Sequence, residues 1–228
     1  MKKKVSPQQN TLDVQALQIK NYKKNGGVRL GPWTSHLFYS DPKHLAFSLS
    51  RYKFVSKLFN GYDSVLEVGC GDSFGSVIVA ENVKKYYGID FDKFIIDDNK
   101  ERLISNKKMK FFFHDILVRP FEKKTTAAFS LDVIEHIPYK DEKLFLENIT
   151  RSIGDGPILL GTPNISASQY ASKYSKESHI NLKSADSLAE SLSPFYKTIL
   201  NFSMNDEVIH TGFSQMAHYI FALGLNRR

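Results

Sequence analysis

The segment Val65-Leu66-Glu67-Val68-Gly69-Cys70-Gly71-Asp72 constrains the fold more than any other part of the chain. A run of β-forming residues ends in a Gly-x-Gly turn. The next apolar run, Tyr86-Tyr87-Gly88-Ile89, closes on a carboxylate, Asp90. Strand, glycine turn, helix and a second strand ending in an acid is the arrangement by which an open α/β sheet holds a nucleoside. The glycines let the backbone approach a ligand closely, and the carboxylate can accept hydrogen bonds from both ribose hydroxyls. Gly69, Gly71 and Gly75 read Gly-x-Gly-x-x-x-Gly, with the third glycine one place late for the dinucleotide fingerprint. That spacing favours a mononucleoside-type ligand over NAD.

The pattern then repeats. Strands are expected at residues 64–68, 85–90, 109–114, 127–131 and 157–162, with helices at 74–82, 93–105 and 140–153 between them. Alternation at these spacings implies parallel strands with right-handed crossovers. A turn is expected within 117–125, a polar segment at 166–178 and a short helix at 184–191. The last two strands, 195–204 and 216–223, are too close in sequence for a crossover helix, so they should pair antiparallel. Upstream, residues 1–10 read as a disordered tail and 11–24 as a marginal helix broken by Gly26-Gly27. Residues 28–35 read as a loop holding the only tryptophan, Trp33. Asp41-Pro42 supplies an N-cap acceptor and a first-turn proline, followed by a helical stripe through Leu45, Leu49, Tyr52, Val55 and Phe59. The expected architecture is α/β: a Rossmann-like doubly wound sheet, mostly parallel with an antiparallel last strand, plus an N-terminal helical cap. The expected organisation is a tail at 1–10, a cap or lid at 11–60 and the sheet domain at 61–228.

A length of 228 residues fits one large domain or a domain plus a cap, and 42% apolar residues suffice for a sizeable core. No apolar run approaches the roughly 18 residues of a membrane span. The basic start, Met1-Lys2-Lys3-Lys4, has no apolar stretch behind it, so no secretory signal is expected. Cys70 is the only cysteine, which excludes an internal disulfide and suits a reducing, cytoplasmic compartment. Of the net charge of +7, Lys2, Lys3, Lys4, Arg227 and Arg228 supply five at ends expected to fray, leaving the body near +2. That is a weak footprint for a polyanion, so a nucleic-acid partner is not expected.

Three further motifs complete the series: Lys110-Phe111-Phe112-Phe113-His114-Asp115-Ile116, Ser130-Leu131-Asp132-Val133-Ile134-Glu135-His136 and Pro157-Ile158-Leu159-Leu160-Gly161-Thr162-Pro163-Asn164. With them the chain resembles the class I S-adenosylmethionine-dependent methyltransferases, in the group carrying an Asp-x-x-Glu-His segment after strand four. The resemblance covers roughly residues 44–222. It implies S-adenosyl-L-methionine as methyl donor and S-adenosyl-L-homocysteine as product. By that resemblance Gly69, Cys70 and Gly71 pass under the methionine part, with Cys70 a small turn residue rather than a reactive thiol. Asp90 accepts from the ribose hydroxyls and Phe91 packs on the adenine. Asp115 accepts from the adenine amino group, Ile116 offers a backbone amide, and Leu131 and Asp132 edge the sulfonium. Glu67 either orients the ligand's ammonium group or bonds the glycine turn. Arg51 either reaches the methionine carboxylate or faces solvent.

Methyl transfer is an in-line displacement that mainly requires alignment of nucleophile, methyl and sulfur. A general base is needed for a hydroxyl or protonated-amine acceptor. On a turn leading into a helix, Asp132, Glu135 and His136 can share one face, which makes them candidates beside the donor. Glu135 capping a helix and His136 bridging loops are the structural alternatives. His179 and His210 lie in polar loops that either reach the acceptor or are simply solvated. Trp33, Tyr39 and His44 are candidates for closing the pocket from the cap. Asp132, Glu135, His136 and His179 also match, with Asp for the first Glu, the metal-binding Glu-x-x-Glu-His segment and later histidine of Hen1-type RNA 2′-O-methyltransferases. Two carboxylates and two imidazoles could hold Mg²⁺ or Mn²⁺, although a metal is not the expectation. The leading reading is methylation of an oxygen or nitrogen on a small molecule, with a sugar or surface-polysaccharide precursor favoured. The alternatives are a metal-assisted RNA methyltransferase and a non-catalytic nucleotide-binding protein.

Overall fold

The structure, a computed structural model, describes residues 7–228. The chain divides into two units, Met1–Leu30 and Gly31–Arg228, a boundary inside the segment expected to form the cap. In the first unit, α1 spans Pro7–Asn25, so it starts within the expected tail. The rest of that tail, residues 1–6, lies outside the described residues. The helix ends where Gly26 turns to φ +76° and its N–H bonds the Tyr22 carbonyl at 2.8 Å.

The second unit runs α2 (Pro32–Ser40), α3 (Pro42–Leu58), β1 (Val65–Val68), α4 (Ser76–Asn82), β2 (Tyr86–Asp90), α5 (Lys93–Arg102), β3 (Met109–Phe113), β4 (Ala127–Leu131), α6 (Glu142–Ile153), β5 (Ile158–Pro163), α7 (Lys173–Ser178), α8 (Ala185–Leu192), β6 (Tyr196–Asn205), β7 (Val208–His210) and β8 (Tyr219–Arg227). The strands form one sheet in the order β3-β2-β1-β4-β5-β8-β6-β7. Strands β1 to β5 are parallel, and β8 runs antiparallel between β5 and β6. Strands β1 and β4 are buried along their whole length, because helices cover both faces. One face buries Val55, Phe59, Val79, Tyr86 and Phe129 beneath α3 and α4. The other buries Leu66, Phe145, Ile149, Leu188 and Leu192 beneath α6 and α8.

Four local expectations are corrected. Residues 32–35 are not loop but the start of α2, opened by Pro32 at its first turn. Asp41 stands at the N-cap of α3, yet its side chain makes no capping bond; its carbonyl accepts from the His44 N–H at 3.0 Å instead. The segment between the last two long strands holds β7, which pairs back on β6 through a turn with Asp206 at φ +47°. Arg227 and Arg228 are not frayed: Arg227 Nη1 donates to the Thr150 carbonyl at 2.6 Å and Arg228 N to the Phe195 carbonyl at 2.9 Å. A guanidinium at the C-terminal end of α6 also meets the negative end of that helix's dipole.

Helix α3 docks on the sheet through Tyr52. Its hydroxyl donates to Glu67 Oε1 at 2.8 Å, and its ring lies where a Cβ on Gly75 would stand. The third glycine of the turn therefore makes room for a cap side chain. Gly75→Ala is expected to destabilise the protein by about 1–3 kcal/mol through overpacking, read as a lower urea midpoint at unchanged m-value. An unaltered midpoint would show that the Tyr52 ring is not held there.

Candidate functional site

The site starts at the turn between β1 and α4. Gly69 and Gly71 take φ +73° and +50°, conformations that cost a residue with a Cβ. A Cβ on Gly71 would also stand 2.7 Å from the Trp33 ring, and one on Gly69 would overlap Val133. Three side chains brace the turn, two of them from below. Asp90 Oδ2 accepts from the Gly71 N–H at 3.1 Å, Asp90 Oδ1 from the Asp92 N–H at 2.9 Å, and Asn99 Nδ2 donates to the Gly71 carbonyl at 2.6 Å. From above, the Asp72 carboxylate accepts from the Thr34 N–H at 2.7 Å and its hydroxyl at 2.9 Å. It thereby satisfies an orphan donor at the start of α2.

Between turn and cap lies a cavity of about 350 Å³. Trp33, Leu45 and Leu49 wall it on the cap side, and Gly69, Cys70, Gly71 and Ser73 on the turn side. Leu131, Asp132 and His136 wall it past the end of β4. The remaining cofactor candidates stand off this wall. Asp90 is buried at the end of β2, and each of its oxygens keeps a lone pair beyond the amide it receives. Burial raises its pKa, and the backbone amides of Asp92 and Gly71 oppose that rise. Phe91 is 75% exposed just beyond it. Asp115 is exposed and accepts from the Leu117 N–H at 2.8 Å, while Ile116 packs into the core and its carbonyl takes Asn148 Nδ2. The Cys70 thiol is buried, and burial followed by the Glu67 charge pushes its pKa well up, which makes it unreactive.

Glu67 lies beneath the cavity, fully buried. It accepts from Tyr52, from Ser76 Oγ at 2.6 Å and from the Tyr86 hydroxyl. Its bonds go to these hydroxyls rather than to the glycine turn. Burial pushes its pKa to about 7 against the three hydroxyl donors that favour the anion.

Asp132 holds φ +56°, one of few non-glycine residues in the left-handed region. That bend turns its carboxylate onto Arg51, with Nη1 at 2.7 Å from Oδ2. Arg51 is buried, with its cation 3.8 Å from the Tyr219 ring centroid. It therefore neither faces solvent nor points into the cavity as a free cation. Burial alone would lower its pKa, but the Asp132 charge holds it above the ordinary value. Glu135 is fully buried, with Oε2 accepting from Thr162 Oγ1 at 2.9 Å and Oε1 unpartnered. Burial, then the neighbouring Asp132 charge, pushes its pKa to about 8. The raised pKa keeps the proton on Glu135 at neutral pH, as expected for a buried carboxyl beside a second one.

His136 Nδ1 lies 3.0 Å from the Ser178 carbonyl. A carbonyl only accepts, so Nδ1 bears the hydrogen and Nε2 is left facing away from that bond. The His179 ring stands 5.0 Å away at 73°; burial and His136 lower its pKa, keeping it neutral at pH 7. Ligating atoms of Glu135, His136 and His179 all fall within 4.8 Å of one another. Asp132, the fourth of the expected set, is not in that group. His210 is not brought there either. Its Nδ1 accepts from the Gly212 N–H at 3.0 Å and its Nε2 donates to Asn205 Oδ1 at 2.8 Å, both within its own hairpin. Tyr39 is exposed, whereas His44 is half-buried, edge-on to Phe47 and electrostatically coupled to Arg51 and Asp132. Sequence reasoning missed Thr34, Tyr52, Asp72 and Tyr219. Only the acid following the Gly-x-Gly pair could have flagged one of them.

Among the described residues, no helix is long and apolar enough to cross a membrane. Residues 66–159 match the family described as "Methyltransferase domain". The fold is similar to that of the N-methyltransferase NodS from Bradyrhizobium japonicum WM9, at 13% identity and TM-score 0.61 over 83% of this chain and 99% of that one. NodS is also known in complex with S-adenosyl-L-homocysteine. The methyltransferase domain of bacterial CtHen1-C is similar at 14% identity and TM-score 0.65, over 79% and 98% of the two chains. The plantazolicin methyltransferase BpumL, in complex with S-adenosyl-L-homocysteine, is similar at 16% identity and TM-score 0.63, over 85% and 89%. No curated protein matches the chain by sequence.

A carboxyl whose folded pKa is raised favours folding least once it must ionise. The Glu67 contribution therefore declines as pH rises from its ordinary 4.5 to about 7 and is flat above. Glu67→Gln should gain stability relative to the parent protein over that window, seen as a melting-temperature difference that grows in favour of the variant from pH 5 to pH 8. A difference that is constant with pH would show that Glu67 ionises normally.

Proposed function

We propose that the chain, whose residues 66–159 match a methyltransferase domain, is a class I S-adenosylmethionine-dependent methyltransferase that methylates an oxygen or nitrogen of a small molecule. The observation that carries this reading is the cavity between the Gly69–Gly71 turn and the cap, edged by Asp132 and His136. S-adenosyl-L-methionine, the cofactor of the superfamily, supplies an activated methyl carbon when bound. Its nucleoside suits the exposed Phe91 face and the remaining lone pairs of Asp90. Its amino-acid part suits the glycine turn, where the backbone can come close. Helices α2 and α3 act as the cap, and Trp33, Leu45 and Leu49 exclude water from the donor side.

On the acceptor side, His136 takes the proton at Nε2, and the bond from Nδ1 to the Ser178 carbonyl fixes both tautomer and ring plane. Asp132, held in place by Arg51, orients the acceptor's hydroxyl or amine. A polyhydroxylated acceptor, such as a sugar of a surface-polysaccharide precursor, fits an edge of one carboxyl and two imidazoles. The sole, buried cysteine suits a cytoplasmic setting.

One observation favours a second reading. Glu135, His136 and His179 converge, and Glu135 Oε1 is buried without a partner. That donor set suits a divalent cation, and with it metal-assisted 2′-O-methylation of RNA.

A thermal-shift panel separates the two. S-adenosyl-L-homocysteine at about a hundred times its dissociation constant should add roughly 2.7 kcal/mol of stability. A shift indifferent to EDTA supports the first reading. A further shift with Mn²⁺, lost in His179→Ala, supports the second, and no shift with the adenosyl ligand defeats both. Once an acceptor is in hand, His136→Ala should lower turnover by about 10²–10⁴ at unchanged affinity for S-adenosyl-L-homocysteine. Unimpaired turnover would remove His136 as the base.

A further inference from the structure

His179 belongs to the segment between β5 and α8, whose regular structure is a 3-10 helix at Ile165–Tyr170 and the short α7. Just before it, α7 is six residues long and exposes Tyr174. Just after it, the chain is pinned twice. The Glu135 carbonyl accepts from the Ile180 N–H at 2.9 Å and the Asn181 N–H at 3.0 Å. The Glu142 carboxylate receives Asn181 Nδ2 at 2.7 Å and Lys183 Nζ at 2.5 Å on Oε2, and Ser191 Oγ at 2.5 Å on Oε1. Lys183 in turn offers its carbonyl to the Ile165 N–H at 2.8 Å.

We propose that Glu142 is a positioning residue for the acceptor side, holding Asn181 and Lys183 so that His179 stands beside His136. The inference rests on the reading of His136 as the base. Three features support it. Glu142 is the first residue of α6, where the helix dipole favours a carboxylate. It and Lys183 are both buried, with side chains 10% and 5% exposed. A buried ion pair adds little net stability over an apolar pair of the same volume, whereas three directional donors on one carboxylate fix a loop in place. Lastly, although burial would raise its pKa, the bonds from Asn181, Lys183 and Ser191 hold Glu142 below the usual carboxylate value, so the anion is present to receive them.

The test compares Glu142→Gln, Lys183→Met and the double variant in the full chain. The readouts are the nuclear Overhauser contact between the His136 and His179 rings, amide exchange at Ile180 and Asn181, and the dissociation constant for S-adenosyl-L-homocysteine. Each single variant leaves one buried charge unpaired. Each should lose the ring contact and speed exchange at both amides by about tenfold or more, with cofactor affinity unchanged. The double variant removes the charges as a pair, and the side-chain amide that replaces the Glu142 carboxylate can accept from Asn181 through its oxygen and donate to Ser191 Oγ through its nitrogen, so it should recover the contact. Ile96→Ala, in the core under α5, serves as a control: it should lower the melting temperature while leaving contact and exchange intact. Should Glu142→Gln fail to fold, Glu142→Asp, which keeps the charge but shortens the reach, is read the same way. A ring contact that survives Glu142→Gln, or vanishes equally in Ile96→Ala, overturns the proposal. Failure of the parent protein to bind S-adenosyl-L-homocysteine would instead count against the methyltransferase reading, and the ring contact would still report on Glu142.

Discussion

One buried carboxyl holds the donor side together. Glu67, midway along the central strand, receives Tyr52 from the cap, Ser76 from the first turn of α4 and Tyr86 from β2. Those three elements surround the glycine turn, so the shape of the cavity depends on a group that does not line it. Leaving such a carboxyl unpaired would cost several kcal/mol; three hydroxyl donors offset that cost and its raised pKa absorbs much of the rest. The glycines complete the arrangement by omission. Gly71 yields to Trp33 and Gly75 to Tyr52, which brings the cap down onto the turn without a side chain between them.

Past the end of β4 the governing interaction is the choice of which carboxyl ionises. Asp132 and Glu135 are close enough to couple, and burial differs sharply between them. Arg51 pairs with Asp132, whereas Glu135 is buried with a pKa raised to about 8 and stays protonated at neutral pH. The outcome is one Arg51-paired carboxyl at the cavity edge, a neutral acid behind it and two imidazoles alongside. On the proposed reading Asp132 orients the acceptor and an imidazole receives its proton, and the pairing with Arg51 leaves no uncompensated charge in the low-dielectric interior.

The parallel core was legible in the sequence because strands buried on both faces must be continuous apolar runs. Residues 127–131 coincide with β4, and the other core strands differ from expectation by a residue or so at their ends. What was not legible rests on contacts distant in sequence. Helix α2 owes its start to Asp72, far along the chain, so the local pattern of residues 28–35 read as loop. The hairpin of β7 is short, its residues are exposed or half-buried, and its turn depends on a non-glycine residue at positive φ. At the site, composition singled out His136 and His179 equally with His210. Only the fold separates the pair that meets from the one whose two ring nitrogens are spent in its own hairpin. Glu67 was noticed, but its three hydroxyl partners come from elements that no spacing rule connects.

The two halves of the site are built on different physical terms. The donor half is made from strand ends and a turn braced by Asp90, Asn99 and Asp72, all buried, so its geometry is as rigid as the core. The acceptor half hangs on loops, with His136 on a short turn and His179 on a segment tied down at Glu135 and Glu142. Rigid scaffolds with adaptable loops are how one fold serves many substrates. The pins matter because the base must meet its substrate within hydrogen-bond reach, and a segment with an exposed helix on one side and a buried ion pair on the other can vary in the first without moving the second. On the proposed reading, acceptor choice belongs to α7 and its neighbours, while proton transfer belongs to what Glu142 and Glu135 hold in place.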